Sequence, residues 1–162
     1  MAYEYGDGIS ANRKRSFKLY LKAAEGDYDE ACFKVGLAYE FGEGAKKDLK
    51  KAVKYYKAAA NWDHIEAQCR LGIAYGIYGV GKGARKNQKD AAYWYGKSAE
   101  QGHEDGQFYL GCCYLEGEGV VKDQQTAIYW FEKSADQGCP EAKISLGHLH
   151  YDGELLEQTA ST

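Results

Sequence analysis

The chain has 162 residues, of which 44% are hydrophobic, and this is enough apolar material for one compact domain but not obviously for two. The formal net charge of −3 argues against nucleic-acid binding, which usually requires a concentrated basic surface. No apolar run approaches the roughly 18 residues of a membrane span, and residues 1–20 contain no signal-peptide core, so we expect no membrane insertion.

A short motif recurs along the chain. A Val-Gly or Leu-Gly pair occurs at intervals of 36, 39 and 36 residues, at Val35-Gly36, Leu71-Gly72, Leu110-Gly111 and Leu146-Gly147. Self-similarity at this period predicts a solenoid, in which each unit buries its apolar face against a neighbour. The fold class we predict is therefore all-α, an α-solenoid of helix-turn-helix repeats.

The first helix of each unit, helix A, carries the frame Ala-x-x-x-Leu-Gly-x-x-Tyr. Its apolar residues fall at i, i+4 and i+8, close to one face of a helix. Small residues at the first and sixth positions let another helix approach closely. The first position is occupied by Ala31, Ala67, Gly106 and Ala142.

A glycine loop and a capping residue separate helix A from helix B. The loops are Gly6-Asp7-Gly8, Gly42-Glu43-Gly44 and Gly117-Glu118-Gly119, and glycine accepts the left-handed backbone that ends a helix. The polar residues that follow are placed to cap helix B at its amino end, and they are Asn12, Asp48, Asn87 and Asp123.

Helix B carries much of the aromatic content. The pairs Tyr55-Tyr56, Trp94-Tyr95 and Trp130-Phe131 stand at equivalent positions, and a stripe with this spacing indicates core rather than a cofactor site. Gly26, Gly102 and Gly138 are expected to close helix B, with Trp62 in that place in one unit.

The repeat register predicts the order B-A four times over. Tyr3 aligns with Tyr39, so we expect the chain to begin inside a repeat. The last helix A is expected to end near Tyr151, with no helix B to cover it. Either the tail folds back, or this end meets another subunit, or the chain is a piece of a longer protein. We expect a single domain over residues 1–156 and a flexible tail over 157–162.

These residues resemble the Sel-1-like repeat family, relatives of the tetratricopeptide repeats. Residues 106–138 match its pattern almost throughout, from Gly106 and Leu110-Gly111 through Gly117 and Gly119-Val120 to Trp130-Phe131 and Gly138. The resemblance implies a right-handed superhelix that serves as an adaptor or scaffold, common in bacteria. Some secreted members carry one disulfide per repeat, but the helix B segments here contain no cysteine.

The cysteines predict reduced thiols. Their number is odd and they do not recur with the repeat, which argues against a disulfide framework and favours a cytoplasmic protein. They are Cys32, Cys69, Cys112, Cys113 and Cys139. Cys112, Cys113 and His148 form the only soft-ligand cluster that the spacing suggests, and buried thiols explain it better than a metal. We expect no metal or other cofactor.

The residues of helix A that face the concave wall predict a groove with an apolar floor, able to take a peptide or helix of a partner protein. They come from the third, seventh, tenth and eleventh positions of the frame. The alternative is that the third position is ordinary core between helices. The predicted groove residues are Phe33, Leu37, Phe41, Cys69, Ile73, Ile77, Phe108, Cys112, Leu115, Ile144 and His148.

The segment Gly76–Gly83 partly matches the motif of a phosphate-binding P-loop. It lacks the Ser or Thr that holds magnesium, and no strand is expected before it. Three extra residues lengthen the loop here, and inserts in repeats collect on one face. We predict a partner-binding loop with Gly79, Lys82 and Arg85.

The sequence favours a protein-binding adaptor or scaffold and no enzyme, because no nucleophile with a base and an orienting group is visible. Three alternatives stay open. The first is a dedicated toxin-neutralising or secretion-associated binding protein. The second is a weak hydrolase. The third is a homo-oligomer formed through the uncovered C-terminal helix.

Overall fold

The computed structural model describes the backbone of residues 3–26, 28–80 and 84–160, and the side chains of residues 11–26, 28–80 and 87–151. Eight α-helices and no strand occur in these ranges. Each helix packs mainly against the helices before and after it in the chain, which is the contact pattern of an α-solenoid. The helices are α1 (Tyr3–Ala24), α2 (Asp29–Phe41), α3 (Leu49–Ala60), α4 (Ile65–Gly76), α5 (Ala84–Glu100), α6 (Glu104–Glu116), α7 (Gln124–Gln137) and α8 (Pro140–Ala160).

The predicted all-α solenoid and its alternation of B and A helices are confirmed: α2, α4, α6 and α8 are of type A, and the other four are of type B. The predicted domain boundary at residue 156 falls inside α8. The division into a domain and a flexible tail therefore stays a prediction.

The sixth position of the frame is a socket for an aromatic ring of the next helix B. A Cβ atom added to Gly36 would lie 2.5 Å from the ring of Tyr56, and one added to Gly72 would lie 2.6 Å from the ring of Tyr95. The same contact joins Gly111 to Phe131 at 2.7 Å. No real Cβ atom occupies such distances, so glycine is required for the A and B helices of a pair to approach this closely.

Buried glutamines link consecutive helices through hydrogen bonds. Gln107, which is 4% exposed, donates from Nε2 to the carbonyl of Ala99 in α5, at 3.3 Å. Its own Oε1 accepts from Gln137 Nε2 at the end of α7, at 2.7 Å. Gln68 repeats this arrangement between Ala60 and Gln101. Because each glutamine bridges three consecutive helices, it joins one repeat to the next.

The structure confirms two of the four predicted caps of helix B. Asp48 accepts from the backbone N–H of Lys51 at 3.1 Å, and Asp123 accepts from those of Gln125 and Thr126. Two caps of helix A escaped the sequence reading. His64 and His103 accept through Nδ1 from the backbone N–H groups of Ala67 and Gly106, at 3.3 and 3.2 Å.

The predicted first loop is wrong. Gly6-Asp7-Gly8 and Asn12 all lie inside α1, which is continuous from Tyr3 to Ala24. In the later units the second loop glycine fits against the backbone of the preceding helix B, as Gly44 does against Arg13. The segment of Gly6 to Gly8 makes no such loop, because the helix runs through it.

Two further positions differ from the predicted register. Asn87 lies inside α5 and is 6% exposed, because the three extra residues of this unit are absorbed as an additional turn at the start of the helix. The residue that corresponds to Gly102 and Gly138 is Asp63, not Trp62. Asp63 has a φ of 58°, in the left-handed region where Gly102 has 88°.

Asp48→Ala is expected to lower the free energy of unfolding by about 1 kcal/mol, because the amino end of α3 loses its side-chain acceptor. The matched control is Asn12→Ala, since Asn12 lies exposed in the middle of α1 and caps nothing. Urea denaturation of the two variants measures the difference. An equal loss at both positions would contradict the continuous α1.

Candidate protein-interaction surface

The third position of the frame is core in the first units, so two predicted groove residues are corrected. Phe33 is 9% exposed, and its ring centroid lies 5.9 Å from that of Tyr56 and 4.5 Å from that of His64. Cys69 is 2% exposed. Both side chains are enclosed because helices pack on either side of α2 and α4. Neither can serve as an open anchor for a partner.

The remaining third-position residues differ from each other. Phe108 is half-buried, with its ring centroid 5.8 Å from that of Phe131 in α7. Ile144 in α8 is 60% exposed. A charge at Phe108 is therefore expected to disturb the packing of α6 on α7 as well as the binding of a partner. Ile144, in contrast, is an open surface residue.

The seventh position and its neighbours form the floor of the A-helix face. Leu37, Ile73 and Cys112 are half-buried and pack against the hydrophobic clusters beneath them. Leu115 is also half-buried, and His148 is exposed. These side chains offer part of their apolar surface to solvent and part to the core.

A group of exposed apolar residues lies where α2 and α4 end. Phe41 and Ile77 are 55% and 58% exposed, and Tyr78 beside them is 46% exposed. The guanidinium of Arg70 lies 5.5 Å from the centroid of the Phe41 ring, within the range of a cation–π contact. We call Phe41, Arg70, Ile77 and Tyr78 the α2–α4 patch.

A buried carboxylate holds this patch in place. Glu40 is only 2% exposed, and it accepts hydrogen bonds from the Tyr56 hydroxyl, from Arg70 Nη1 at 3.3 Å and from the Tyr78 hydroxyl at 3.4 Å. Burial, and then the hydrogen bond to Glu40, raise the pKa of Tyr56 far above its ordinary value. Sequence reasoning did not find this network, because its members are 16, 30 and 38 residues away from Glu40.

The predicted partner-binding loop is shorter than expected. Gly79 has a φ of 62°, as a turn residue would, and a Cβ built on it would meet no described atom within 4 Å. Arg85 belongs to α5, so its assignment to the loop is wrong, and its side chain lies outside the described residues. Lys82 also lies outside them. The element before Gly79 is the helix α4, which differs from the strand that a P-loop follows.

Three thiols in α4 and α6 are not activated. Burial raises the pKa of Cys69 and Cys113 to about 12 and that of Cys112 to about 11. At neutral pH these groups are therefore protonated, and a protonated thiol is a poor nucleophile. In the described part of the chain, the three-residue grouping of possible metal ligands is Cys69, His103 and Asp105, whose ligand atoms lie within 4.8 Å of one another. Cys112, Cys113 and His148, the cluster suggested by the sequence spacing, do not form such a grouping there. His103 already has a structural role there as the cap of α6.

Among the described residues, no helix combines the length and the apolar character that crossing a membrane requires.

Comparison with known proteins identifies the repeats. A family model described as Sel1 repeat matches residues 1–28, 29–61, 65–103 and 104–139. A comparison with curated proteins found no match.

Solved structures have the same fold. A protective antigen present in uropathogenic Escherichia coli strains, described as displaying an SLR fold, is 34% identical with a TM-score of 0.81, over 87% of this chain and 30% of that chain. A Sel1 repeat protein from Oxalobacter formigenes is 36% identical with a TM-score of 0.74, and the match covers 82% of this chain and 54% of that chain. Helicobacter pylori cysteine rich protein B is 25% identical with a TM-score of 0.62, and the match covers 83% of this chain and 94% of that chain. The chain thus spans less than two thirds of the first two proteins.

Proposed function

This chain belongs to the Sel1 repeat family, whose members typically mediate protein–protein interactions, and we propose that it binds a peptide or helical segment of a partner protein along its A-helix face. The observation that carries this proposal is the α2–α4 patch. Aromatic residues and arginine are the residue types that contribute most to protein interfaces, and the patch combines them with an exposed isoleucine.

The Glu40 network supports the proposal because it pre-organises the patch. Arg70 and Tyr78 are both hydrogen-bonded to one buried carboxylate, and Arg70 also lies over the Phe41 ring. Side chains that are already ordered lose little conformational entropy when a partner binds. A rigid patch of this kind suits an apolar anchor residue on the partner.

The rest of the A-helix face extends the proposed site along the solenoid. Leu37, Ile73, Cys112 and Leu115 supply a half-buried apolar floor, and His148 continues it on α8. Gly79 belongs to the segment that follows Ile77 and Tyr78, so a partner on the patch would reach it. A partner segment with apolar residues at helical or alternating spacing fits such a surface.

Sel1 repeats are in general scaffolds rather than catalytic domains, and the proposed role of this chain requires no catalysis. The thiols of Cys69, Cys112, Cys113 and Cys139 are free, which favours a reducing compartment such as the cytoplasm. The protonated state of the buried thiols further supports a binding role over a hydrolytic one.

A displayed library of random peptides tests the proposal. Peptides selected on the native chain are expected to bind at least about tenfold more weakly to Phe41→Asp/Ile77→Asp, a loss of about 1.4 kcal/mol, because the change puts two charges into an apolar contact. The matched control is Tyr28→Asp/Trp62→Asp. These two residues are 68% and 65% exposed and lie in the turns at the opposite ends of the A helices.

The comparison of the two double variants decides the outcome. Selected peptides that bind the control as the native chain does, and lose affinity for Phe41→Asp/Ile77→Asp, support the proposal. Peptides that tolerate both variants, or a selection that yields no binder, contradict it.

A further inference from the structure

Among the residues that the structure describes, one glycine socket of the solenoid is empty. Gly36, Gly72 and Gly111 each receive a ring of the following helix B, but a Cβ added to Gly147 in α8 would meet no described atom within 4 Å. On the same face of α8, at i−3 and i+4, Ile144 and Tyr151 are 60% and 64% exposed. α8 therefore presents the helix-B-binding face of a type A helix, fully formed and uncovered.

At the other end of the chain, one aromatic residue of helix B has no socket. Tyr56, Tyr95 and Phe131 are 1%, 3% and 0% exposed, each in contact with the glycine of the preceding helix A. The equivalent residue of α1 is Tyr20, which lies 36 positions before Tyr56 and is 42% exposed. Its neighbour Leu19, which corresponds to Tyr55, is 65% exposed.

We propose that the two ends bind each other between copies of this chain, with Tyr20 of one copy seated on Gly147 of the next. In this arrangement α1 covers α8 as α3 covers α2, so the solenoid continues from one molecule into another. The occupant of the α8 face is thus a second copy, because the chain itself carries the aromatic residue that the socket lacks.

A cleft lies beside Tyr20 at the position that Glu40 occupies one repeat later. It has a volume of about 340 Å³ and is lined by Tyr20, Lys34 and Leu37, among other residues. One repeat later the equivalent space lies between Tyr56 and Arg70, and Glu40 fills it. The residue of α8 that corresponds to Glu40 is Tyr151, so its exposed ring is placed to enter the cleft of the neighbouring copy.

Charge and length also fit the pairing of α1 with α8. α1 contains five basic and two acidic residues, a formal charge of +3, whereas α8 contains four acidic and one basic, a charge of −3 with histidine neutral. The two helices have 22 and 21 residues, so they can pair along their whole length. Opposite charges across an interface favour the encounter and disfavour self-pairing of α1 or of α8.

This contact is heterologous, since each copy uses a different surface at each end. It therefore builds a row of molecules instead of closing a symmetric pair. Two variants test it: Tyr20→Glu removes the aromatic residue, and Gly147→Leu fills the socket at a site where the fold has room.

Sedimentation velocity from about 1 μM to about 1 mM, a range that covers weak assemblies, is the measurement. The mass of the native chain is expected to rise with concentration, and less so in about 1 M NaCl, where charge attraction is screened. Each variant alone is expected to stay monomeric. An equimolar mixture of the two is expected to give dimers and nothing larger, because one variant keeps the socket and the other keeps Tyr20.

Three results would overturn the proposal. The first is a native chain that is monomeric at every concentration. The second is association that survives in both variants. The third is a pair of monomeric variants that do not combine when mixed, which indicates a symmetric contact instead. The circular dichroism of both variants is recorded in parallel, and Gly147→Leu keeps the test valid should Tyr20→Glu fail to fold.

Discussion

Gly111→Ala is expected to lower the free energy of unfolding by about 1 to 3 kcal/mol, the usual cost of overpacking a close-packed core. The added methyl carbon would lie 2.7 Å from the ring of Phe131, a side chain that is 0% exposed and has no room to move away. The measurement is urea denaturation followed by circular dichroism.

The matched control is the same substitution at Gly147. A methyl group there meets no atom of the described residues within 4 Å. The higher helix propensity of alanine is therefore the main effect, and Gly147→Ala is expected to raise stability by about 0.5 to 1 kcal/mol. Both proteins are measured at low micromolar concentration, where contacts between copies do not contribute. Equal effects of the two substitutions would show that the socket does not determine the packing.

Glu40→Ala is expected to cost about 2 to 4 kcal/mol of stability. The substitution leaves the buried hydroxyl of Tyr56 without its acceptor and the guanidinium of Arg70 without its carboxylate. Because Arg70 is partly exposed, water compensates some of this loss, and the expected cost is below that of a fully enclosed ion pair.

Glu43→Ala is the control for Glu40→Ala. Glu43 lies in the loop after α2 and pairs with Arg13 at 3.4 Å, with both side chains more than half exposed. An exposed ion pair contributes little, so we expect no measurable change in stability. Glu40→Ala should also weaken peptides selected on the native chain, since Arg70 and Tyr78 lose their anchor. A Glu40→Ala protein as stable as the native one would contradict the network.

The repeat frame was enough to predict the helix order and the need for small residues at the helix contact. A motif that recurs with the same spacing reports directly on a fold in which each unit meets the next in the same way. The ends of elements were less predictable. Asn12 and Asn87 have the residue type and the spacing of a cap, yet both lie inside helices, because packing and the length of the insert decide where a helix starts.

The candidate site was only partly predictable. Phe41 and Ile77 follow from the frame, but Phe33 and Cys69 have the same apolar character and are buried, since the frame does not tell how closely the next helices cover a position. The tenth position of the frame, which Glu40 occupies, holds a different residue in every unit, so the frame did not single it out. Its hydrogen-bond partners come from three other segments. The caps of helix A did leave a signal: His64 and His103 each precede the first frame residue by three positions.

A partner segment that lies on the α2–α4 patch can be located there by site-specific photo-crosslinking. Benzoylphenylalanine is placed at position 77 in one protein and at position 62 in another, both exposed, and each is irradiated with a peptide selected on the native chain. We expect a covalent adduct from position 77 and none from position 62. An adduct from position 62 alone, or none from position 77 at a concentration that saturates binding, would contradict this expectation.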